Sequence, residues 1–361
     1  MMSNCVNSDL NKIYVFPQHL NQSLNEHLLG GWDIFLAERD QFLRIVSPQG
    51  RVSDAWYTGT AASVYENFYS IGADRPKYVI VLSSDQIYKM DYREILQAHI
   101  DSGADLTIVG LPIPRSEAHR FGVMKIDKNQ RLKVFKEKPE NPVAIPGRDE
   151  ESLISTGIYV FKAEALVDAL NKDMAIRSSK HDFGKNVVPR MLRQKRPISV
   201  YLFQDGNGLA KHWCDIGLPD AYFEANMDLV SVNPKLNLYD PEWPWRTFNR
   251  STPPTKIVFH ADIRASIVSD GCVLDDCCLE RAVVSPRVRI GRNTKVRDAV
   301  IMSGVQIGND IRIHRAIIDK ENIIPDGSVV DADNMVYNGP HEITKSGIVV
   351  ISRNYPAWTG E

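Results

Sequence analysis

The stretch Tyr78–Tyr88, YVIVLSSDQIY, decides how the chain reads. Its first five residues are all apolar and three of them, Val79, Ile80 and Val81, are β-branched. An unbroken run of this kind suits a central strand covered on both faces, whereas a half-exposed strand alternates apolar with polar. Beyond it, Asp91 and Glu94 have capping-box-like spacing, Ile95, Leu96 and Ile100 recur at helical intervals, and Gly103 follows as a C-cap. Leu106–Leu111 then resumes strand character, so the segment reads as a βαβ unit. In open parallel sheets ligands bind beyond the carboxyl ends of the strands, which is where Asp85 falls. A carboxylate there suits Mg²⁺ and phosphate partners. The alternative is an aspartate that caps the following helix.

Outward from this unit, short β-rich runs and amphipathic segments alternate over the first two-thirds of the chain, the pattern of a layered α/β domain around a mostly parallel sheet. Phe121–Ile126 and Arg131–Glu137 flank the polar turn Asp127-Lys128-Asn129-Gln130, a hairpin that runs into Lys138-Pro139. Asn141–Glu151 reads as a surface loop, Ile154–Phe161 as a strand and Pro219–Leu229 as a helix. From Ser231 to Lys256, prolines at 234, 241, 244, 253 and 254 interrupt the pattern around Trp243 and Trp245, so this linker is expected to be packed. Past it, branched apolar residues recur every five or six positions: Val268, Val273, Leu279, Val284, Ile290, Val296, Ile301, Ile307, Ile313, Ile318, Ile324 and Val330. That short period predicts a parallel β-helix with stacked aliphatic ladders, a small antiparallel sheet being the alternative. The expected divisions are 1–232, a linker 233–256, and 257–361.

Composition narrows the function classes. With 43 Lys+Arg against 45 Asp+Glu in 361 residues, the net charge is −2 and no chain-wide positive field exists to draw in nucleic acid or an anionic membrane, so neither is expected as a partner and only a local patch could act so. The five cysteines form no CxxC pair, which argues against a disulfide framework or zinc site. No apolar run approaches ~18 residues, and the opening MMSNCVNSDLNKIYVF lacks the features of a secretion leader, so the expected compartment is the cytoplasm.

Several motifs, read together, resemble the ADP-glucose pyrophosphorylases, also called glucose-1-phosphate adenylyltransferases: Asn4–Leu28, WYTGTAASV at 56–64, Ser83–Tyr92, FGVM at 121–124, FKEKP at 135–139, STGIYVF at 155–161, HDFGK at 181–185, Trp213–Leu229, WPWRT at 243–247 and GIVVI at 347–351. The resemblance covers essentially the whole chain. It implies a Rossmann-like nucleotidyltransferase domain followed by a left-handed parallel β-helix, and attack of glucose 1-phosphate on the α-phosphorus of ATP. It further implies that Asp85 and Asp215 hold a catalytic Mg²⁺, that Glu137 reaches sugar hydroxyls and Lys138 the sugar phosphate, that Tyr57, Gly122 and Ser155 belong to the same site, and that Gly59-Thr60-Ala61 is the turn that approaches the nucleotide. A homotetramer, or a heteromer with a complete subunit, is the implied assembly.

The family's opening Gly-rich loop, GGxGxRL, has no match: Gly30-Gly31 is followed by Trp32-Asp33-Ile34. Ser84 also stands where the family has Gly, Gln86 where it has His, Ala62 where it has Asp, and Leu218 where it has Thr. The missing loop would supply N–H groups and a cation to the triphosphate, so weak turnover is expected. Met1-Met2 directly before matching sequence points to a start assigned downstream of the true one. The alternative is a regulatory subunit relieved of catalysis.

Overall fold

The computed structural model describes residues 1–18, 21–48 and 57–353, so Trp56 of the WYTGTAASV motif lies outside the described residues. The chain forms two compact units. The first comprises Met1–Ser84, Lys89–Lys211 and Trp243–Phe248; the second comprises Asp85–Tyr88, His212–Glu242 and the chain from Asn249 onward.

In the first unit, α1 (Met2–Asn7), β1 (Lys12–Val15), α2 (Gln22–Gly31) and β2 (Phe42–Ile45) form a small layer in which β1 and β2 pair in parallel. Met2, Leu28 and Trp32 are its buried core. Next come α3 (Thr60–Glu66), α4 (Phe68–Ala73) and β3 (Tyr78–Val81). The short β4 (Gln86–Tyr88) belongs to the second unit. α5 (Tyr92–Ser102), β5 (Leu106–Pro114), β6 (Gly122–Ile126), β7 (Leu132–Glu137), β8 (Glu151–Lys162), α6 (Ala163–Met174), α7 (Val188–Arg193) and β9 (Ile198–Leu202) complete the first unit. The main sheet runs β7-β6-β8-β5-β9, with β3 paired to the C-terminal part of β8.

This topology corrects two expectations. Among the described residues only β5 and β9 pair in parallel within the main sheet; β3–β8, β5–β8, β6–β8 and β6–β7 are antiparallel. The long β8 returns between β3 and β5, with Tyr159 opposite both Val81 and Ile108, so the two ends of the βαβ unit run the same way without touching as neighbours. For the same reason β3 is not a covered central strand. It pairs with β8 alone among the described residues, and all four of its side chains are partly exposed.

Other local readings hold. Asp91 caps α5 by accepting from the backbone N–H of Arg93 at 2.9 Å, and Gly103 closes it with φ of 62°. The capping duty therefore falls to Asp91 and not to Asp85. Asp127 fastens the β6–β7 turn by accepting from the N–H groups of Asn129 and Arg131. The proline-rich linker is packed at its aromatic end: Trp243 is buried and its Nε1 donates to Asn4 Oδ1 at 2.9 Å, while Arg246 N donates to Ser3 Oγ. Trp243–Phe248 thereby joins the first unit.

The second unit is built on a parallel β-solenoid of about four turns, with aligned contacts between coils recurring at 17 residues. Leu279, Val284, Ile290, Val296, Ile301, Ile307, Ile313, Ile318, Ile324 and Val330 line its interior. One rung is displaced from expectation: Leu274 points inward at 0% exposure, opposite Ile290, and Val273 is only partly buried. Each buried rung contributes about 1.5–3 kcal/mol, whereas exposed pairs along the outside such as Arg292–Asp275 contribute under ~1 kcal/mol, so the aliphatic ladder sets the coil register. Before the solenoid, β10 (Trp213–Asp215) pairs antiparallel with β4, and α8 (Pro219–Leu229) lays Phe223 and Met227 against Val300, Ile317 and Ile348. No helix among the described residues is long and apolar enough to cross a membrane.

Candidate active site

Strand register assembles the first cluster. Gly122 on β6 lies opposite Glu137 on β7 and opposite Ser155 on β8, so three residues far apart in sequence form one row. The Glu137 carboxylate occupies space that side chains would otherwise fill: a Cβ on Gly122 would sit 2.8 Å from its Oε2, and one on Gly184 would sit 2.5 Å from it. Burial pushes the Glu137 carboxyl above its ordinary range, Asp182 adds to that push, and Lys138 and Lys185 offset part of it. Tyr159, further along β8, is raised by burial, with a hydrogen bond to Ser155 working the other way. Lys138 follows Glu137 directly with an exposed side chain. Its backbone φ of 44° is unusual for a residue before proline, and its N–H donates to Phe121 O at 3.0 Å, which holds the turn where β7 ends.

The Gly59-Thr60-Ala61 turn opens α3 and rests on the backbone of 180–181. Ala61 N donates to His181 O at 2.8 Å, and a Cβ on Gly59 would collide with the carbonyls of Lys180 and His181. Thr60 Oγ1 donates to Asp182 Oδ2 at 3.2 Å and accepts from Phe183 N. Asp182 in turn accepts from Lys185 N at 2.8 Å, closing the helical turn Phe183–Val187. Segment 180–185 therefore connects the predicted nucleotide turn to the Glu137 row. Tyr57 stands apart: it is 5% exposed, its hydroxyl accepts from Asn67 at 2.8 Å and its carbonyl accepts from Gln18. Those bonds anchor α3 and α4, and none of them joins Tyr57 to Glu137 or Ser155.

The second cluster is carried by the β4–β10 ribbon of the second unit. Asp215 lies opposite Gln86, and Ile216 N donates to Asp85 O at 2.9 Å. Asp215 Oδ1 and Asp85 Oδ2 lie 3.2 and 3.8 Å from the point where a Cβ on Gly217 would stand, so both carboxylates flank one small residue. Two hard oxygen ligands beside one small residue fit Mg²⁺, which commonly takes one or two carboxylates and completes its shell with phosphate and water. Gln86 accepts from Trp213 Nε1 at 3.0 Å, a bond across the ribbon that a glutamine supplies in place of the histidine of the resemblance.

The nucleotidyl transferase family model matches residues 1–232, and the model described as GlmU-like, C-terminal hexapeptide matches residues 253–351. The glucose-1-phosphate adenylyltransferase of Koribacter versatilis is 40% identical, covering 98% of this chain and 87% of the relative. The chain belongs to the glucose-1-phosphate adenylyltransferase family. Further glucose-1-phosphate adenylyltransferases, from Rhodopirellula baltica and Bradyrhizobium diazoefficiens, are each 39% identical over 98% of the chain, with 81% and 86% of the relative covered. In this member of the glucose-1-phosphate adenylyltransferases, sequence reasoning passed over Tyr159, Asp182 and Gly184 as individual site residues. Their signal was present in STGIYVF and HDFGK, but only the fold shows that both motifs close on Glu137.

Proposed function

We propose that the chain joins the adenylyl group of ATP to glucose 1-phosphate. A phosphate oxygen of the sugar forms a bond to the α-phosphorus, the bond from that phosphorus to the β-phosphate bridge breaks, and ADP-glucose and pyrophosphate leave. Two phosphate groups repel by about 1 kcal/mol per pair of unit charges at 4 Å in water and by about 4 kcal/mol at a protein surface, so cations must be supplied. Lys138 supplies one to the sugar phosphate. Glu137 accepts from sugar hydroxyls, Ser155 and Tyr159 fix its side of the sugar, and Gly59-Thr60-Ala61 lies along the nucleotide. Mg²⁺ held by Asp85 and Asp215 neutralises charge on the nucleotide phosphates when bound.

The observation that carries this reading is the row Gly122–Glu137–Ser155, which brings three sugar-site positions together by strand register. Calorimetry with glucose 1-phosphate tests it: Lys138→Ala will weaken binding more than Ser155→Ala, because a charge-assisted phosphate contact outweighs a neutral one. Binding will also weaken as pH falls through the raised Glu137 value, since a protonated carboxyl accepts less well, and Glu137→Gln will flatten that dependence. Equal losses in the two alanine variants would overturn the assigned roles.

Among the described residues no loop is fitted to a triphosphate. Gly30-Gly31, the one adjacent glycine pair, ends α2 with Phe248 filling the space at both Cβ positions. This favours weak turnover by the polypeptide itself and keeps a regulatory subunit, paired with a complete partner chain, as the second reading. For assembly, a homotetramer or such a heteromer is supported by Ile257, Val258 and Phe259, which the first solenoid coil leaves exposed. Light scattering over a dilution series will find an oligomer; a stable monomer at micromolar concentration would remove that support. Five unbridged thiols agree with a cytoplasmic location.

A further inference from the structure

Two carboxylates converge on Gly184. A Cβ there would stand 2.5 Å from Glu137 Oε2 and 3.5 Å from Asp182 Oδ1, so the acid that ends β7 and the acid of segment 180–185 face the same small space. Like charges so placed oppose each other, and Asp182 accordingly helps to push the Glu137 carboxyl above its ordinary range. Two lysines act in the opposite sense, Lys138 from the end of β7 and Lys185 from the residue after Gly184. Neither closes on a carboxylate. Among the described residues the ammonium groups of Lys138 and Lys185 make no hydrogen bond and no ion pair, whereas other surface lysines do, such as Lys133 with Asp127 at 2.9 Å and Lys172 with Asp168 at 2.8 Å. The Lys185 backbone, by contrast, is fixed: its N–H donates to Asp182 Oδ1 at 2.8 Å, and Asn186 N donates to Asp182 O at 2.9 Å. Phe183 in the same turn is 2% exposed and packs on Tyr159 of β8, with ring centroids 5.6 Å apart. The turn is seated while the Lys185 side chain stays exposed.

We propose that Lys185 is a second phosphate-binding residue of the sugar site, its ammonium meeting the phosphate of glucose 1-phosphate together with that of Lys138. This assignment rests on the sugar-site reading above. The arrangement of charge supports it, because sugar hydroxyls donate to carboxylates while the phosphate needs cations that no carboxylate has already claimed. A phosphate monoester carries about 1.5 to 2 negative charges at pH 7, more than Lys138 alone neutralises. Lysine suits the second position, since its compact charge rides on a flexible stem and reaches a ligand without moving the backbone. Segment 180–185 also seats the Gly59-Thr60-Ala61 turn, through the His181 carbonyl and the bond from Thr60 to Asp182. Nucleotide phosphate is therefore the rival ligand, and ATP forms the second arm of the test.

Calorimetric titration of the full chain with glucose 1-phosphate, and separately with ATP, tests the assignment. Lys185→Ala will weaken glucose 1-phosphate binding at least about fivefold, Lys185→Arg will recover most of the loss, and ATP affinity will change by less than about twofold. An effect exerted only through the Glu137 charge is separated by a double-variant cycle: on the Glu137→Gln background, Lys185→Ala will still weaken sugar-phosphate binding at least about threefold. Lys185 is exposed, so its variants will unfold at the wild-type urea concentration. Undiminished affinity in Lys185→Ala, with affinity lost in Lys138→Ala, overturns the assignment and leaves the sugar site standing. Undiminished affinity in both, or no binding by the wild type, overturns the sugar-site reading and this assignment with it. A larger loss for ATP than for glucose 1-phosphate, or no further loss on the Glu137→Gln background, overturns the assignment alone.

Discussion

The 361-residue polypeptide, purified and given ATP, glucose 1-phosphate and Mg²⁺, will form ADP-glucose at least about a hundredfold more slowly than a curated relative. Loss of a single preorganised donor to developing negative charge costs about 10²–10³ in rate, and a Gly-rich arginine loop contributes several donors at once. On the roles proposed for Asp85, Asp215, Glu137 and Lys138, placing such a loop and its strand ahead of these 361 residues will restore turnover. In that extended chain, Asp85→Asn and Asp215→Asn will each suppress kcat far more than they raise KM for the sugar, and the double variant will fall well short of the product of the two effects, since both carboxylates flank Gly217 and are proposed to hold one ion. Turnover of the original polypeptide within tenfold of the relative, a barrier difference of about 1.4 kcal/mol, would show that triphosphate needs no such cradle here.

Asp173→Ala will destabilise the first unit by about 3–5 kcal/mol, the range for removing one partner of a buried ion pair. Asp173 sits in the last turn of α6, where the helix dipole disfavours a carboxylate, yet it is 0% exposed. Burial works to raise its pKa, and hydrogen bonds from His181, Arg190 and Ser179 outweigh it, leaving the value below the ordinary one. Its contribution is therefore complete at neutral pH and is lost only as pH falls through that depressed value. Without the carboxylate, the Arg190 guanidinium, 14% exposed, keeps its charge with no counterion, and His181 loses the bond that orients it. The same substitution will weaken nucleotide binding, because the His181 carbonyl holds Ala61. Urea titrations measure the first effect, and a loss below about 1 kcal/mol would show that the site relaxes around the lone arginine.

Local signals were legible where the residues nearest in sequence determine the structure. The Asp91 cap, the Gly103 stop, the Asp127 turn and the five-to-six-residue aliphatic period each depend on contacts within a coil or a turn. What the sequence concealed was long-range strand pairing. Nothing in YVIVL announces that β8 will come between β3 and β5, because an apolar strand suits a buried parallel or a buried antiparallel neighbour equally. The Leu274 rung was misplaced by one residue for a related reason: Val273 and Leu274 are both aliphatic, and alternation alone decides which faces inward. Of the candidate site residues, Asp85 stood out at the end of an apolar strand, whereas Glu137, Lys138 and Asp215 were assigned only through the resemblance carried by FKEKP and Trp213–Leu229. Gly184 did not stand out, since its contribution is the absence of a side chain where Glu137 needs room, and that is visible only once the strands are set.

The β4–β10 ribbon has a bearing on how such a protein is recombined. Asp85 and Asp215 sit on that ribbon, and the residues that follow it run through α8, whose Phe223 and Met227 pack on the solenoid. A chimera cut at the linker near residue 232 would separate α8 from the coils it was fitted to and leave Asp85 and Asp215 on a ribbon with mismatched support. Exchange between relatives that respects the physical units must instead carry residues 212–242 and the short insert 85–88 along with the solenoid. Inheritance of the coils and inheritance of the ribbon that carries Asp85 and Asp215 are thus one event, so on the proposed reading the C-terminal half is a party to the chemistry rather than a detachable tail.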